Sequence, residues 1–172
     1  KIIIKKFNND RLKKKLRDLK FKNIIEIDSW AKVKINRDFD ISIIPQETNN
    51  KDGLNSKIIY DLDTSILIQS NSTKKIFYNN VDNPLSTNDI KKLNRFVFKK
   101  YKNKINVCCF PLGGASEYPH CFFNINKALE MNKVIKSSVL NVKKKLSILK
   151  PDIFFPAGGN YILYGKYSKL ND

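Results

Sequence analysis

At 172 residues the chain has the length of one domain, enough to bury about two-thirds of its unfolded surface. Its 33 Lys and Arg against 16 Asp and Glu give a net charge of +17, a balance that suits nucleic acid, an anionic surface or a phosphorylated substrate. No apolar run approaches the roughly 20 residues of a membrane-spanning helix, and Ile2–Ile4 is too short for the apolar region of a signal peptide.

The charge also has a compositional explanation. Lys, Asn and Ile are abundant throughout and Arg is scarce, as an AT-rich coding sequence would give. The lysines recur in small groups, Lys13–Lys15, Lys74-Lys75, Lys91-Lys92, Lys99-Lys100 and Lys143–Lys145, on polar helix-like faces that solvent satisfies. The chain starts at Lys1 rather than Met and ends Leu170-Asn171-Asp172, which reads as a piece of a longer protein.

Residues 8–20 are expected to form a short helix, with Leu12, Leu16 and Leu19 at helical steps and Asn9 or Asp10 as N-cap. Phe21–Ile27 is extended. Trp30, Val33 and Ile35 alternate with Ala31, Lys32 and Lys34, and Phe39, Ile41 and Ile43 continue the alternation, so residues 31–45 are expected to form a β-hairpin. Gln46–Lys57 is a polar loop, Leu62–Ser70 a strand, Asn71–Thr73 a turn and Lys75–Tyr78 a strand. Pro84 stops regular structure in the segment Asn79–Ser86.

Ser86 and Asp89 stand at capping-box spacing, with Asp in place of the longer Glu. The helix they open carries Ile90, Leu93, Val97 and Tyr101 as its apolar stripe. Ile105–Phe110 is the next strand. A long helix over 126–149 is expected to turn Leu129, Val134, Val139, Val142 and Leu146 inward and to end at Lys150-Pro151. Ile153–Phe155 is a short strand, and Pro156–Asn160 is a second Gly loop leading to Tyr161–Tyr164. Hairpins followed by strand–helix–strand–helix–strand indicate an α/β or α+β sandwich. If their strands are neighbours, the loops 79–86, 113–121 and 156–160 converge on one rim.

The stretch Pro111–Cys121 holds the only histidine, His120, with a Gly-Gly pair, Ser116, Glu117 and Cys121. A nucleophilic reading would use Ser116 or Cys121 with His120 as base and Glu117 as orienter. Against it, triad members are usually remote in sequence, and the G-x-S-x-G elbow spacing is missing. A tight Gly-Gly turn ended by Pro119 explains the same residues. Cys108 and Cys109 are adjacent and on a strand face opposite ways, so they do not bridge each other. With no C-x-x-C pair and no His spacing for structural zinc, the three cysteines read as free thiols of a cytoplasmic protein. Asp82, flanked by asparagines at a strand end, fits turn chemistry and also fits a carboxylate bridging metal ions.

Several pieces occur in a recognisable order. They are Phe21-Lys22-Asn23 with the Trp30–Pro45 hairpin, Asp63-Thr64-Ser65-Ile66-Leu67-Ile68, Phe77–Ser86, Gly113–Phe122, and Lys150-Pro151 with Pro156-Ala157-Gly158 and Gly165-Lys166. In this order the chain resembles the C-terminal part of a metallo-β-lactamase-fold domain, in the branch of CMP-N-acetylneuraminate hydroxylase-like proteins. Val81 stands where relatives often have a polar residue, and Pro-Ala-Gly-Gly replaces the more usual Pro-Phe-Ala-Gly.

The resemblance implies an αββα sandwich with a metal site at its rim, and residues 1–172 as a partial domain whose N-terminal metal-binding half, with its His-x-His-x-Asp-His motif, lies outside this chain. It implies Asp82 as a metal ligand and a divalent metal, zinc or iron, completed by upstream ligands. Gly113, Gly114, Ser116, Tyr118 and His120 become substrate-binding candidates for a small anionic or sugar-type molecule. The function it implies is part of a metal-dependent enzyme, leaning to hydrolase, acting on sugar-nucleotide or polysaccharide-related substrates. The alternatives are a basic module binding nucleic acid or another polyanion, and a non-catalytic remnant.

Overall fold

The computed structural model describes residues 1–7, 9–46, 64–80, 83, 85–112, 118–157, 166 and 168. Its centre is a six-stranded sheet of β3 (Val33–Lys34), β4 (Phe39–Pro45), β5 (Thr64–Ser70), β6 (Ile76–Asn79), β7 (Val107–Pro111) and β8 (Ile153–Ala157), lying side by side in chain order. The first four strands are antiparallel, and β6, β7 and β8 are parallel. Parallel neighbours need crossovers. These are α2 (Thr87–Tyr101) and α3 (Lys127–Leu149). The protein is thus a mixed α/β fold.

Strand alternation sorts the sheet into two apolar faces. Ile44, Leu67, Ile76, Tyr78, Cys108 and Phe110 meet Ile90, Leu93, Val97 and Tyr101 of α2 and Val142 and Leu149 of α3 in the main core. α2 forms as its stripe and cap foretell. Ser86 Oγ accepts from Asp89 N at 3.2 Å, and an Asp89 carboxylate oxygen accepts from Ser86 N at 2.8 Å, so Asp closes the box as Glu would. At its far end, Tyr101 OH and Ser42 Oγ are 2.6 Å apart, and Ser42 donates to Ala31 O at 2.7 Å, which ties the helix to β4.

The opposite face is covered at its β4–β5 end. There Ile41, Ile43, Ile66 and Ile68 pack with Ile3, Ile25 and Ile27. Those residues come from β1 (Ile2–Lys5) and β2 (Ile24–Ile27), a parallel pair that forms a second small sheet. Between them runs α1 (Arg11–Asp18), held to the far side of β2 by the Lys13–Glu26 ion pair. The first strand was not among the expectations, since Ile2–Ile4 has no local partner.

Three other details differ from the sequence reading. α1 buries no residue, and Leu12 and Leu19 are 41% and 60% exposed. Its N-cap is Asp10, but that side chain makes no cap bond; Asn9 Oδ1 instead accepts from Arg11 N at 3.1 Å. Leu129, expected inside, is exposed, whereas Lys145, expected in solvent, is buried among the α3 core positions. Leu62 and Asp63, the loop 47–57 and residues 158–164 lie outside the described residues. Among the described residues no helix is long and apolar enough to cross a membrane.

The core makes a direct stability test. Leu93, fully buried between α2 and the sheet, is expected to cost about 2–5 kcal/mol when truncated to Ala. Ser86→Ala should cost about 1 kcal/mol through the lost cap, and exposed Lys91→Ala no more than about 0.5 kcal/mol. Urea denaturation of the three variants checks this ranking.

Candidate functional site

Because β6, β7 and β8 run parallel and adjacent, the chain leaves all three at one end of the sheet. Asn79, Pro111 and Ala157 are the exit residues. The antiparallel register brings the end of β4 and the start of β5 to the same rim, since Pro45 pairs Thr64 and Ile66 pairs Asn79. Carboxyl ends of parallel strands are where open α/β sheets place their ligands. The expected convergence of three loop origins is therefore present.

Beneath this rim lies a buried polar circuit. Asn83 Nδ2 donates to Ser65 Oγ at 3.0 Å and to Ile44 O at 3.1 Å. Ser65 Oγ and Tyr78 OH are 2.9 Å apart, and Tyr78 OH donates to Asn80 Oδ1 at 2.5 Å. A phenol has a single proton, so Ser65 donates to Tyr78. Asn80 Nδ2 then donates to Asn83 O at 2.8 Å and closes the ring. Asn80 N also donates to Cys109 O at 2.9 Å. Burial pushes the Tyr78 phenol well above its ordinary range, which keeps it a neutral donor.

The four-residue segment 80–83 is thus clamped at both ends on β4, β5, β6 and β7. Asp82, the metal candidate, belongs to that segment and lies outside the described residues. Asn83 Oδ1 is buried and has no hydrogen-bond partner among the described residues, a rarity in folded proteins. Asn80, Asn83, Ser65 and Tyr78 were not singled out from sequence. The pair of asparagines bracketing Val81-Asp82 was the available signal, and it reads locally as turn chemistry.

The second exit leads from Pro111 and Leu112 towards Gly113, Gly114 and Ser116, which are outside the described residues. The chain resumes in a turn over Tyr118–Cys121, with a cis Tyr118–Pro119 peptide bond. Tyr118 OH donates to Glu130 in the first turn of α3, and Lys133 Nζ donates to the same carboxylate at 2.6 Å. The hydrogen bond to Glu130 raises the Tyr118 phenol, while Lys133 and then Tyr118 lower the Glu130 carboxyl. The Tyr118 ring also meets Phe122 edge-on, with centroids 5.2 Å apart. Tyr118 is therefore anchored to α3, and half-buried His120 shares its turn.

Of the three cysteines, all free, Cys108 is buried in the main core. Burial, with Cys109 beside it, pushes its thiol up to about 12. Burial raises Cys109 as well. Neither has the thiolate character of a nucleophile at neutral pH. Lys145 reaches inward from α3 over the Phe110 ring at 5.7 Å. Burial lowers its ammonium pKa, and the Asp89 charge partly opposes that. Among the described residues no group of three or more His, Cys, Asp or Glu gathers to hold a metal ion. Comparison with family models, curated proteins and solved structures finds no match to this chain.

Two measurements test this geometry. Iodoacetamide at neutral pH is expected to leave Cys108 unlabelled until the protein is denatured; rapid labelling of folded protein would contradict the described core. The Tyr118–Glu130 contact has two pH limits. Glu130 is lowered, so its contribution is present above the ordinary 4.5 and fades as pH falls through the folded value. Tyr118 is raised, so its contribution is present below the ordinary 10.0 and fades as pH rises through the folded value. The thermal midpoint of Tyr118→Phe should therefore lie below the parent inside that window and converge with it at both extremes.

Proposed function

We propose that this chain is the C-terminal part of a metallo-β-lactamase-fold enzyme, a cytoplasmic metal-dependent hydrolase acting on small anionic, sugar-nucleotide or polysaccharide-related substrates. The observation that carries the reading is the closed circuit under segment 80–83, at the carboxyl rim of three parallel strands. A carboxylate borne by a segment held at both ends has the rigid footing that a metal ligand needs.

The layer order supports the fold assignment. Helices α2 and α3, the six-stranded sheet, the β1–β2 sheet and α1 follow one another as in an αββα sandwich. Among the described residues, β1–β2 covers the β4–β5 end of its facing layer. Across the sheet the same face continues through the rows Phe77–Val107–Ile153 and Asn79–Cys109–Phe155. It ends at Ile153 and Phe155, 51% and 53% exposed. Parallel strands are normally covered on both faces, so a wider second sheet fits there. The three free cysteines support a reducing compartment.

The donor chemistry agrees with a divalent ion in part. Asp82 supplies a hard carboxylate, and the orphaned Asn83 Oδ1 in the same segment suits a cation's ordered water as acceptor. The remaining ligands would come from the upstream motif that the resemblance implies. When bound, zinc or iron would lower the pKa of a coordinated water towards about 7 and polarise a substrate oxygen. In this reading the Asn83–Ser65–Tyr78–Asn80 circuit fixes the backbone on either side of Asp82. Gly113 and Gly114 offer backbone N–H groups to the anionic part of the substrate, with Ser116 beside them. Tyr118, braced by Glu130, and His120 line the pocket wall.

The test uses the full-length protein. Asp82→Ala is expected to lose bound metal by elemental analysis and to abolish turnover of a panel of nucleotide-sugar and sugar-phosphate substrates. Asn83→Ala should weaken metal affinity by about 10- to 100-fold, the usual effect of removing an outer-sphere partner. Unchanged metal and activity in Asp82→Ala would overturn the assignment, and a metal-free parent would favour the non-catalytic remnant.

A further inference from the structure

The outer helix layer carries a groove that the rim does not use. The C-terminal halves of α2 and α3 leave a cavity of about 440 Å³, walled by Asn94, Arg95, Phe98, Lys104, Ile148 and Lys150 among others. Asn94 Nδ2 donates to Ile148 O at 3.2 Å and pins the two helices at its floor. Phe98 is 73% exposed. It lies outside the Ile90, Leu93, Val97 and Tyr101 stripe that seats α2 on the sheet, so core packing does not explain it.

The groove's described walls hold three cations and no carboxylate. Lys104 pairs with Asp152, whereas Arg95 and Lys150 form no ion pair among the described residues. The cations continue along α2, where exposed Lys91, Arg95 and Lys99 recur at helical spacing over about 12 Å, with exposed Lys102 at the C-cap. Two bland explanations cover only part of this. A lysine-rich composition places cations anywhere, and lysines in a last helical turn offset the helix dipole. The second accounts for Lys99 and Lys100. Neither explains Arg95, placed well before the last turn, or an exposed aromatic ring set among the charges.

We propose that this groove binds single-stranded nucleic acid, with a base stacked on Phe98 and flanking phosphates held by Arg95 and Lys150. An exposed aromatic ring beside a cationic track is the combination that single-strand binders use. The cavity falls in the range of about 300–1,000 Å³ that small-molecule sites occupy, room for one base out of its stack and not for a duplex. Arg95 adds a planar fork that grips phosphate in two places. An acidic peptide would meet the same cations and leave the Phe98 ring unused, which separates the two partners experimentally.

Fluorescence anisotropy of the full-length protein with a short labelled oligothymidylate, titrated at rising salt, is the test. Binding should weaken steeply with salt. Phe98→Ala should weaken it about 5- to 150-fold, the loss of one stacked base, and Phe98→Tyr should restore it. Arg95→Glu with Lys150→Glu should reduce affinity and lower the salt slope by about 0.7 for each phosphate that is no longer neutralised. Lys14→Glu with Lys15→Glu makes the same charge change on exposed α1 positions and should leave binding near the parent's. The proposal is overturned if Phe98→Ala binds as the parent does, if the α1 and groove reversals weaken binding equally, or if polyglutamate displaces the oligonucleotide as well as unlabelled oligonucleotide does. The groove variants lie on the outer helix layer, so their outcome is independent of the metal content that tests the rim.

Discussion

The parallel run β6–β7–β8 is the constraint from which most of the architecture follows. Each parallel step needs a crossover, and crossovers are right-handed in nearly all proteins. Two successive steps in one direction across the sheet therefore put both helices on one face. α2 and α3 do share a face, and together they fill the main core. The same run forces the three strand exits to one rim and leaves the opposite face for another layer. β1 and β2 pack on part of that face, and their parallel pairing is itself the product of a small strand–helix–strand unit.

Periodicity made the local elements legible. The hairpin, α2 and α3 stand where the alternations and helical stripes place them. Pairing between distant segments was not legible: Ile2 meets Ile24 in a separate sheet, and neither tetrapeptide announces its partner. Burial along α3 was misread for a geometric reason. A helix of 23 residues is about 34 Å long, while the five residues of β7 span about 17 Å. Full burial on α3 is confined to its C-terminal half. Val142, Lys145 and Leu149 fall there and are buried, while Leu129 overhangs and is exposed. A pattern of apolar residues gives the face of a helix, but not how far its support extends.

The site was legible as single residues and not as an assembly. Asp82 attracts attention as a carboxylate at a strand end. Asn83 does so only once the fold brings Ile44, 39 residues away, and Ser65, 18 residues away, to its amide. Lys145 belongs to the same class, because its neighbours in sequence, Lys143 and Lys144, are exposed. Contacts of this kind depend on sheet order and register, which composition and spacing do not encode.

The circuit also explains why an orphaned oxygen is tolerated. Spanning Ile44 O and Ser65 Oγ at once requires two N–H donors on one short planar group, and among side chains of this length only the amide of Asn provides it. Asp would present acceptors to Ile44 O and break the span, and Leu would remove both donated bonds. The amide nitrogen brings a carbonyl with it, and Asn83 Oδ1 is buried without a partner among the described residues. An unsatisfied buried group costs about 1–3 kcal/mol, while the two donated bonds contribute about 0.5–1.5 kcal/mol each. The balance is close to even, so stability alone gives Asn83 little advantage there. What the amide does supply is a fixed position for Asn83 against β4 and β5, and local rules broken without a gain in stability are most often found where position matters more than stability.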